Sequence, residues 1–279
     1  MNTRKILNRS VAAMTALAVV GYGAVLWWFH SHENELIFSP DRVIRTVADS
    51  LGLQPARVEL LAADGERLVG RMYRTSTPDS EALWVLYFHG NARNATSRVG
   101  FHAGLVRMGM SVMVAEYRGY GESGGKPTED GVYQDAAAFY VYLRETLRVP
   151  ASKIVIYGHS LGGAVAIDLA SKVPAARVIV EGAFTSLPDI GQEMYPYLPV
   201  RLLANAQFAS LEKIPRVNAP KLFIHAVDDG IVPIGHGRKL FDAAVGPKMF
   251  LEVKGGHDSA YERDRQVFYA GMGAFMALD

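Results

Sequence analysis

Ser160 stands in Gly158-His159-Ser160-Leu161-Gly162, the stretch of this chain best suited to covalent chemistry. A serine hydroxyl attacks a carbonyl only when a base takes its proton, and that base needs an acid to hold its tautomer. The G-x-S-x-G pattern presents such a hydroxyl on a sharp turn between a strand and a helix. Here the apolar run Lys153–Tyr157 precedes the motif and helical spacing over Leu161–Val173 follows it. A side chain at either flanking position would collide across so tight a turn, so both are glycine, and the serine itself must take a strained conformation. The Leu161 N–H then faces the same space from a helix start, where positive partial charge gathers.

The partners are sought downstream, because on this kind of sheet the order is serine, acid, histidine. Two loops qualify. Asp228-Asp229-Gly230-Ile231-Val232-Pro233 follows the run Lys221–Ala226, and Gly255-Gly256-His257-Asp258 follows the run Lys248–Val253. Both stand at carboxyl ends of predicted strands, where open α/β sheets bind ligands. His257 is the expected base, and either Asp228 or Asp229 fits the acid on spacing alone. His225, inside a strand, reads as a packed histidine. His236, at a helix start, reads as a surface or capping residue, and Asp242 and Asp258 as solvated acids flanking helices. Attack leaves negative charge on the former carbonyl oxygen, and one fixed N–H aimed at it is worth about 3 kcal/mol. His89-Gly90-Asn91-Ala92, after the run Ala82–Phe88, is placed to supply one such donor. The expected oxyanion pair is the backbone N–H of Asn91 and that of Leu161.

These residues need a frame that brings loop ends together. Short unbroken apolar runs recur at Ala82–Phe88, Ser111–Glu116, Lys153–Tyr157, Arg177–Val180, Lys221–Ala226 and Lys248–Val253. Unbroken runs fit strands covered on both faces. Helical spacing lies between them, for example over Val132–Leu147, so the pattern is α/β with a mostly parallel sheet. Arg57–Ala62 and Arg67–Arg74 flank Asp64-Gly65, a hairpin signal, so the sheet is expected to begin antiparallel. Nothing repeats and no long hinge appears, so 31–279 reads as one domain after a short linker, Ser31–Pro40.

Composition narrows the function further. At 49% hydrophobic and 20% charged the chain is not disordered. It has no cysteine, which excludes a disulfide framework, thiolate metal sites and a thiol nucleophile. With 29 basic and 28 acidic residues it lacks the basic excess of a nucleic-acid binder. The serine chemistry requires neither metal nor organic cofactor.

The first 30 residues differ from the rest. Arg4, Lys5 and Arg9 are followed by a stretch, Val11 to Phe29, with no charge. As a helix it would run about 28 Å, close to the hydrocarbon thickness of a bilayer. Trp27 and Trp28 stand at its far end, where indoles favour the headgroup level. The expectation is a transmembrane anchor over 1–30, with the N-terminus cytoplasmic and the remainder extracytoplasmic, periplasmic in a Gram-negative cell. A cleaved signal peptide is the alternative, with Gly21-Tyr22-Gly23 as a weak site; the apolar run continues past it through Val25–Phe29, which favours the anchor.

Taken together, Phe88-His89-Gly90-Asn91-Ala92, Tyr117-Arg118-Gly119-Tyr120-Gly121-Glu122-Ser123, Gly158–Gly163, Glu181-Gly182-Ala183-Phe184-Thr185-Ser186, Asp229-Gly230-Ile231-Val232-Pro233 and Gly255-Gly256-His257 resemble the α/β-hydrolase superfamily. More narrowly, they resemble membrane-anchored serine hydrolases that include depalmitoylase-like proteins. The resemblance runs along most of 58–279 and implies the α/β-hydrolase fold with a catalytic set of Ser160, Asp229 and His257. It favours Asp229, four residues before Pro233, over Asp228. Glu116 departs from the pattern, since relatives usually carry Asp there, and so does Ala226-Val227, where relatives often show Gly. The Tyr117–Ser123 loop is expected to be scaffold beneath the site.

Between Arg177–Val180 and Lys221–Ala226, about residues 184–218, lies a short insertion rich in Met194, Tyr195, Pro196, Tyr197, Leu198, Leu202, Leu203 and Phe208. It is expected to be an apolar lid that accepts an acyl chain, with plain packing helices as the alternative. The expected activity is hydrolysis of a carboxylic ester or thioester of a small molecule or lipid. Peptidase or amidase action by the same residues is the second reading, and a non-catalytic membrane-tethered binding protein the third.

Overall fold

The computed structural model describes residues 3–45 and 52–277, with side chains from residue 7 onward. The side chains of Arg4 and Lys5 thus lie outside the described residues. Eight strands form one sheet: β1 Ala56–Leu61, β2 Arg67–Tyr73, β3 Leu83–Phe88, β4 Met110–Ala115, β5 Ile154–His159, β6 Arg177–Glu181, β7 Lys221–Ala226 and β8 Lys248–Val253. Their spatial order is β8-β7-β6-β5-β3-β4-β2-β1. The hairpin β1–β2 is antiparallel and β2 meets β4 antiparallel. All other neighbours are parallel, so the carboxyl ends of β3, β5, β6, β7 and β8 share one rim. Gly65 turns the hairpin at φ +84°.

Every residue of β4, β5 and β7 is buried, which explains why these strands read as unbroken apolar runs. One face of the sheet packs on Val132, Phe139, Val165 and Leu240 from α3 (Glu129–Val141), α4 (Leu161–Ala170) and α6 (Ile234–Ala243). The other packs on Phe101, Leu105, Phe268 and Met272 from α2 (Val99–Arg107) and α7 (Arg265–Met276). Helix α3 begins three residues before the expected Val132, because Thr128 Oγ1 accepts the Gly131 N–H at 3.1 Å and caps it. Its last turn, Tyr142–Thr146, widens to π geometry before Leu147.

The segment before the sheet departs from expectation in one respect. Helix α1, Thr3–Ser31, is long and apolar enough over Leu7–Ser31 to cross a membrane, and that stretch is unburied. Ser31–Pro40 is not a free linker. Ile37 and Phe38 are buried in the core, and Ser39–Pro40 pair in parallel with Ala92–Arg93. Two adjacent large apolar side chains carry their own driving force for docking, and the Ala92–Arg93 edge pairs the backbone that follows them at Ser39–Pro40.

Candidate active site

Ser160 occupies the turn between β5 and α4 with φ 56° and ψ −122°, a strained conformation for a residue with a side chain. The turn is as tight as the sequence required. A Cβ at Gly158 would strike the Gly162 carbonyl, and one at Gly162 would strike the Phe88 carbonyl. The Ser160 N–H donates to the Glu181 carbonyl at 2.8 Å, tying the elbow to the end of β6.

His257 Nε2 lies 2.8 Å from Ser160 Oγ, and His257 Nδ1 lies 2.7 Å from Asp229 Oδ2. Asp229 Oδ1 accepts the amides of Ile231 and Val232 at 2.9 and 2.8 Å. Burial works to raise the Asp229 carboxyl, but the His257 hydrogen bond and charge, together with these amides, outweigh it and hold the group below the usual carboxylate range. Asp228 is exposed at the other side of the turn. The structure therefore brings Ser160, His257 and Asp229 together and leaves Asp228 out. An ionised carboxylate on Nδ1 keeps the proton there and leaves Nε2 as an acceptor for the serine proton.

Asn91 and Leu161 both border the cavity beside Ser160. Leu161 is the first residue of α4, whose N–H has no acceptor within the helix. The loop carrying Asn91 is clamped. Its carbonyl accepts the Tyr120 hydroxyl at 2.6 Å and the Ser39 amide at 3.0 Å, its Nδ2 donates to the Ile37 carbonyl at 3.1 Å, and the His89 carbonyl accepts the Tyr117 hydroxyl at 3.0 Å. The Tyr117–Ser123 loop is thus scaffold under the site. Glu116, the unusual residue there, is buried 3.0 Å from His89 Nε2 and accepts the Ala95 amide at 3.1 Å.

Several supporting residues escaped the sequence reading. Buried His159 donates from Nε2 to the His257 carbonyl at 3.1 Å. Burial and the nearby Arg98 push its imidazole down to about 4, so it is neutral at pH 7. His225 is packed, as expected, but it also braces the acid: its Nε2 donates to the Val232 carbonyl at 2.8 Å and stands 3.5 Å from Asp229 Oδ2. Beneath the elbow, Glu181 takes both Arg98 terminal nitrogens at 2.8 and 3.1 Å and the Tyr157 hydroxyl at 2.8 Å. Burial opposes the Glu181 charge, yet Arg98 and His159 prevail and bring it down to about 2. For the last pair the sequence offered an acid closing an apolar strand and opening the Glu181–Ser186 motif, with nothing to point to Arg98 as its partner. His236 is a correction: it is buried, with Nδ1 2.9 Å from Thr185 Oγ1 and Nε2 3.3 Å from Glu193. A helix start facing the rim of the sheet lies under the insertion rather than in solvent.

Two cavities meet at Ser160. One, of about 220 Å³, is walled by apolar groups including Leu187, Ile190, Met194 and Leu198 of the insertion and Phe29 and Leu36 of the N-terminal segment. The insertion holds α5 (Leu187–Met194) and two shorter helices, Val200–Leu203 and Ser210–Lys213. The other cavity, of about 160 Å³, is lined by polar groups such as Asn94, Ser97, Arg98 and His257. Such a site can hold an apolar group on one side of the serine and a hydrogen-bonding group on the other. Among the described residues no cluster of His, Asp and Glu could hold a metal ion.

Residues 80–208 match the family described as serine aminopeptidase, S33. An uncharacterized protein of Mycobacterium tuberculosis is 33% identical over 277 residues, 99% of this chain and 97% of that one. The lysophosphatidylserine lipase ABHD12 of Danio rerio is 34% identical over 184 residues, 59% of this chain and 48% of that protein. Among solved structures, the esterase Pf2001 of Pyrococcus furiosus superposes with a TM-score of 0.71 at 19% identity, over 85% of this chain and 98% of the other. An α/β hydrolase of Vibrio vulnificus superposes with a TM-score of 0.67 at 22% identity, over 84% and 88%.

Proposed function

The chain belongs to the α/β-hydrolase superfamily, and from that premise we propose that it is a serine hydrolase cleaving carboxylic esters or thioesters with an apolar acyl group. The observation that carries the proposal is the relay itself: Ser160 Oγ, His257 and Asp229 in line at 2.8 and 2.7 Å. In the proposed reaction Ser160 Oγ bonds to the carbonyl carbon while His257 Nε2 takes its proton. The Asn91 and Leu161 amides hold the oxyanion. His257 returns the proton to the leaving oxygen or sulfur as that bond breaks, leaving an acyl-enzyme. Water then attacks the acyl carbon as His257 takes its proton, and the bond to Ser160 Oγ breaks as His257 returns that proton to Oγ, releasing the acid. The acyl group occupies the apolar cavity and the leaving group the polar one.

The proposed layout is an anchor over 1–30, with the N-terminus cytoplasmic, and an extracytoplasmic hydrolase domain over 31–279 with residues 184–218 as its lid. Amide cleavage is the second reading, supported by the aminopeptidase description of the matched family. An aminopeptidase needs a free carboxylate for the substrate ammonium. Glu33, the acid on the apolar cavity, accepts Asn205 Nδ2 at 2.9 Å and the Ala206 amide at 3.0 Å, so the exposed Asp258 on the polar cavity is the carboxylate that the amide reading would use. The test is a fluorophosphonate probe with a panel of p-nitrophenyl esters. Wild type is expected to label and to retain activity on long acyl chains, and Ser160→Ala to label not at all and to lose roughly 10³-fold or more in kcat. A folded wild type that does not label would overturn the hydrolase reading, and equal loss of activity on every chain beyond butyrate would overturn the acyl cavity.

A further inference from the structure

The lid does not stand free of α1; it is stitched along it. Tyr22 donates its hydroxyl to the Tyr197 carbonyl at 3.0 Å, Phe29 meets the Tyr195 ring edge-on at 5.5 Å, and His30 Nδ1 donates to the Leu203 carbonyl at 3.1 Å. Tyr22 is nine residues before the helix end at Ser31, about 13 Å along the axis at 1.5 Å per residue. The lid tip therefore lies beside the apolar part of α1 rather than beyond its end. It is dressed for that position. Tyr197 is 90% exposed and Leu202 87%. From Met194 to Ala209 the one charged side chain is Arg201, which is paired with Asp189 at 3.0 Å. Trp27 and Trp28, residues suited to the headgroup level, are exposed on the same stretch of α1. The apolar cavity has one wall from each partner in this contact, Phe29 from α1 and Met194, Tyr195 and Leu203 from the lid.

We propose that the lid is seated in the bilayer leaflet next to α1, and that the acyl cavity is filled from that leaflet. The substrate class is then a membrane-resident fatty-acyl ester or thioester rather than a dissolved one. The occupant of the exposed lid face is lipid, because the face is continuous with a helix whose own surface only hydrocarbon would cover. Cleavage in the Gly21–Gly23 region would cut away the Tyr22 tie, so the proposal also requires α1 to be retained. The inference about substrate rests on the hydrolase reading; the position of the lid does not.

The absence of cysteine makes the position measurable. Full-length Tyr197→Cys, labelled with bimane in phosphatidylcholine vesicles, is expected to be quenched by brominated acyl chains and shielded from aqueous iodide. In parallel, Leu202→Glu, which lies outside the cavity walls, is expected to lower hydrolysis of vesicle-borne p-nitrophenyl palmitate about five-fold or more while leaving dissolved p-nitrophenyl butyrate within about two-fold, because a carboxylate resists the leaflet. Iodide quenching without lipid quenching would overturn the proposal, as would an equal effect of Leu202→Glu on both substrates. Should folded wild type hydrolyse neither substrate and take no fluorophosphonate label, the hydrolase reading falls while the bimane measurement still decides where the lid sits.

Discussion

An imidazole can accept the Ser160 proton at Nε2 only while its other nitrogen keeps a hydrogen, and Asp229 is the residue placed to hold it there. Asp229→Asn would keep the Ile231 and Val232 amides on Oδ1 and turn an NH₂ toward His257 Nδ1. The imidazole would then carry its proton on Nε2, facing the serine as a donor. The expected loss in kcat is about 10⁴-fold with thermal stability little changed. Asp228→Asn, in exposed surroundings, is expected to behave as wild type; ester kinetics on both variants decide it, and a loss under tenfold for Asp229→Asn would remove that residue from the relay. At this scale the sequence was explicit about Ser160 and His257, because a motif and a loop histidine are local signals. Spacing alone left two adjacent aspartates on offer, with the family resemblance favouring Asp229, because the direction of each side chain depends on a turn whose shape is set by Val232 and His225 behind it.

The elements meet at the elbow through a buried ion pair. Strand β6 brings Glu181 under Ser160, and Arg98 at the start of α2 covers it with a double hydrogen bond. Removing one partner of such a pair leaves the other charge buried, at a cost of about 3–5 kcal/mol. Glu181→Gln is therefore expected to lose that much stability at pH 7. The pH dependence has a definite sign. Glu181 is held near 2 in the folded chain, below its ordinary value, and Asp229 is also lowered. Both contribute stability in full above the ordinary carboxylate range, and that contribution drains away as pH falls toward 2. Urea midpoints taken at pH 7, 5 and 3 are expected to fall steeply for wild type and more gently for Glu181→Gln; parallel curves would refute the pair's role. The strands themselves were legible almost residue by residue, with Lys221–Ala226 and Lys248–Val253 found at the expected bounds. Apart from the hairpin turned at Gly65, their pairing partners were not, since an apolar run carries no label for its neighbour.

For the whole molecule, the charge balance decides how it would be held at a surface. Arg4, Lys5 and Arg9 precede the apolar run, and residues 30–279 then carry 29 − 3 = 26 basic against 28 acidic groups. A body with no basic excess gains little from anionic headgroups. Membrane association is therefore expected to resist 1 M salt and alkaline carbonate and to yield only to detergent, as for a spanning helix. Release of the full chain by salt alone would mean that charge rather than α1 retains it. Fractionation of expressing cells followed by these washes measures this directly.

Local physics made much of this protein readable from residues alone. Two-faced burial shows as unbroken apolar strands, a tight elbow shows as paired glycines, and a helix long and apolar enough to cross a membrane shows as a long uncharged run, because each is a short-range consequence of side-chain chemistry. Tertiary structure decided the rest: that Ile37 and Phe38 dock what reads as a linker, that His236 lies buried beneath the insertion, and that the insertion lies along α1 with Phe29 in the cavity wall. Those contacts join residues up to 175 positions apart. No periodicity records such a meeting, because it is set by how the packed elements fit one another and not by the preference of any one of them.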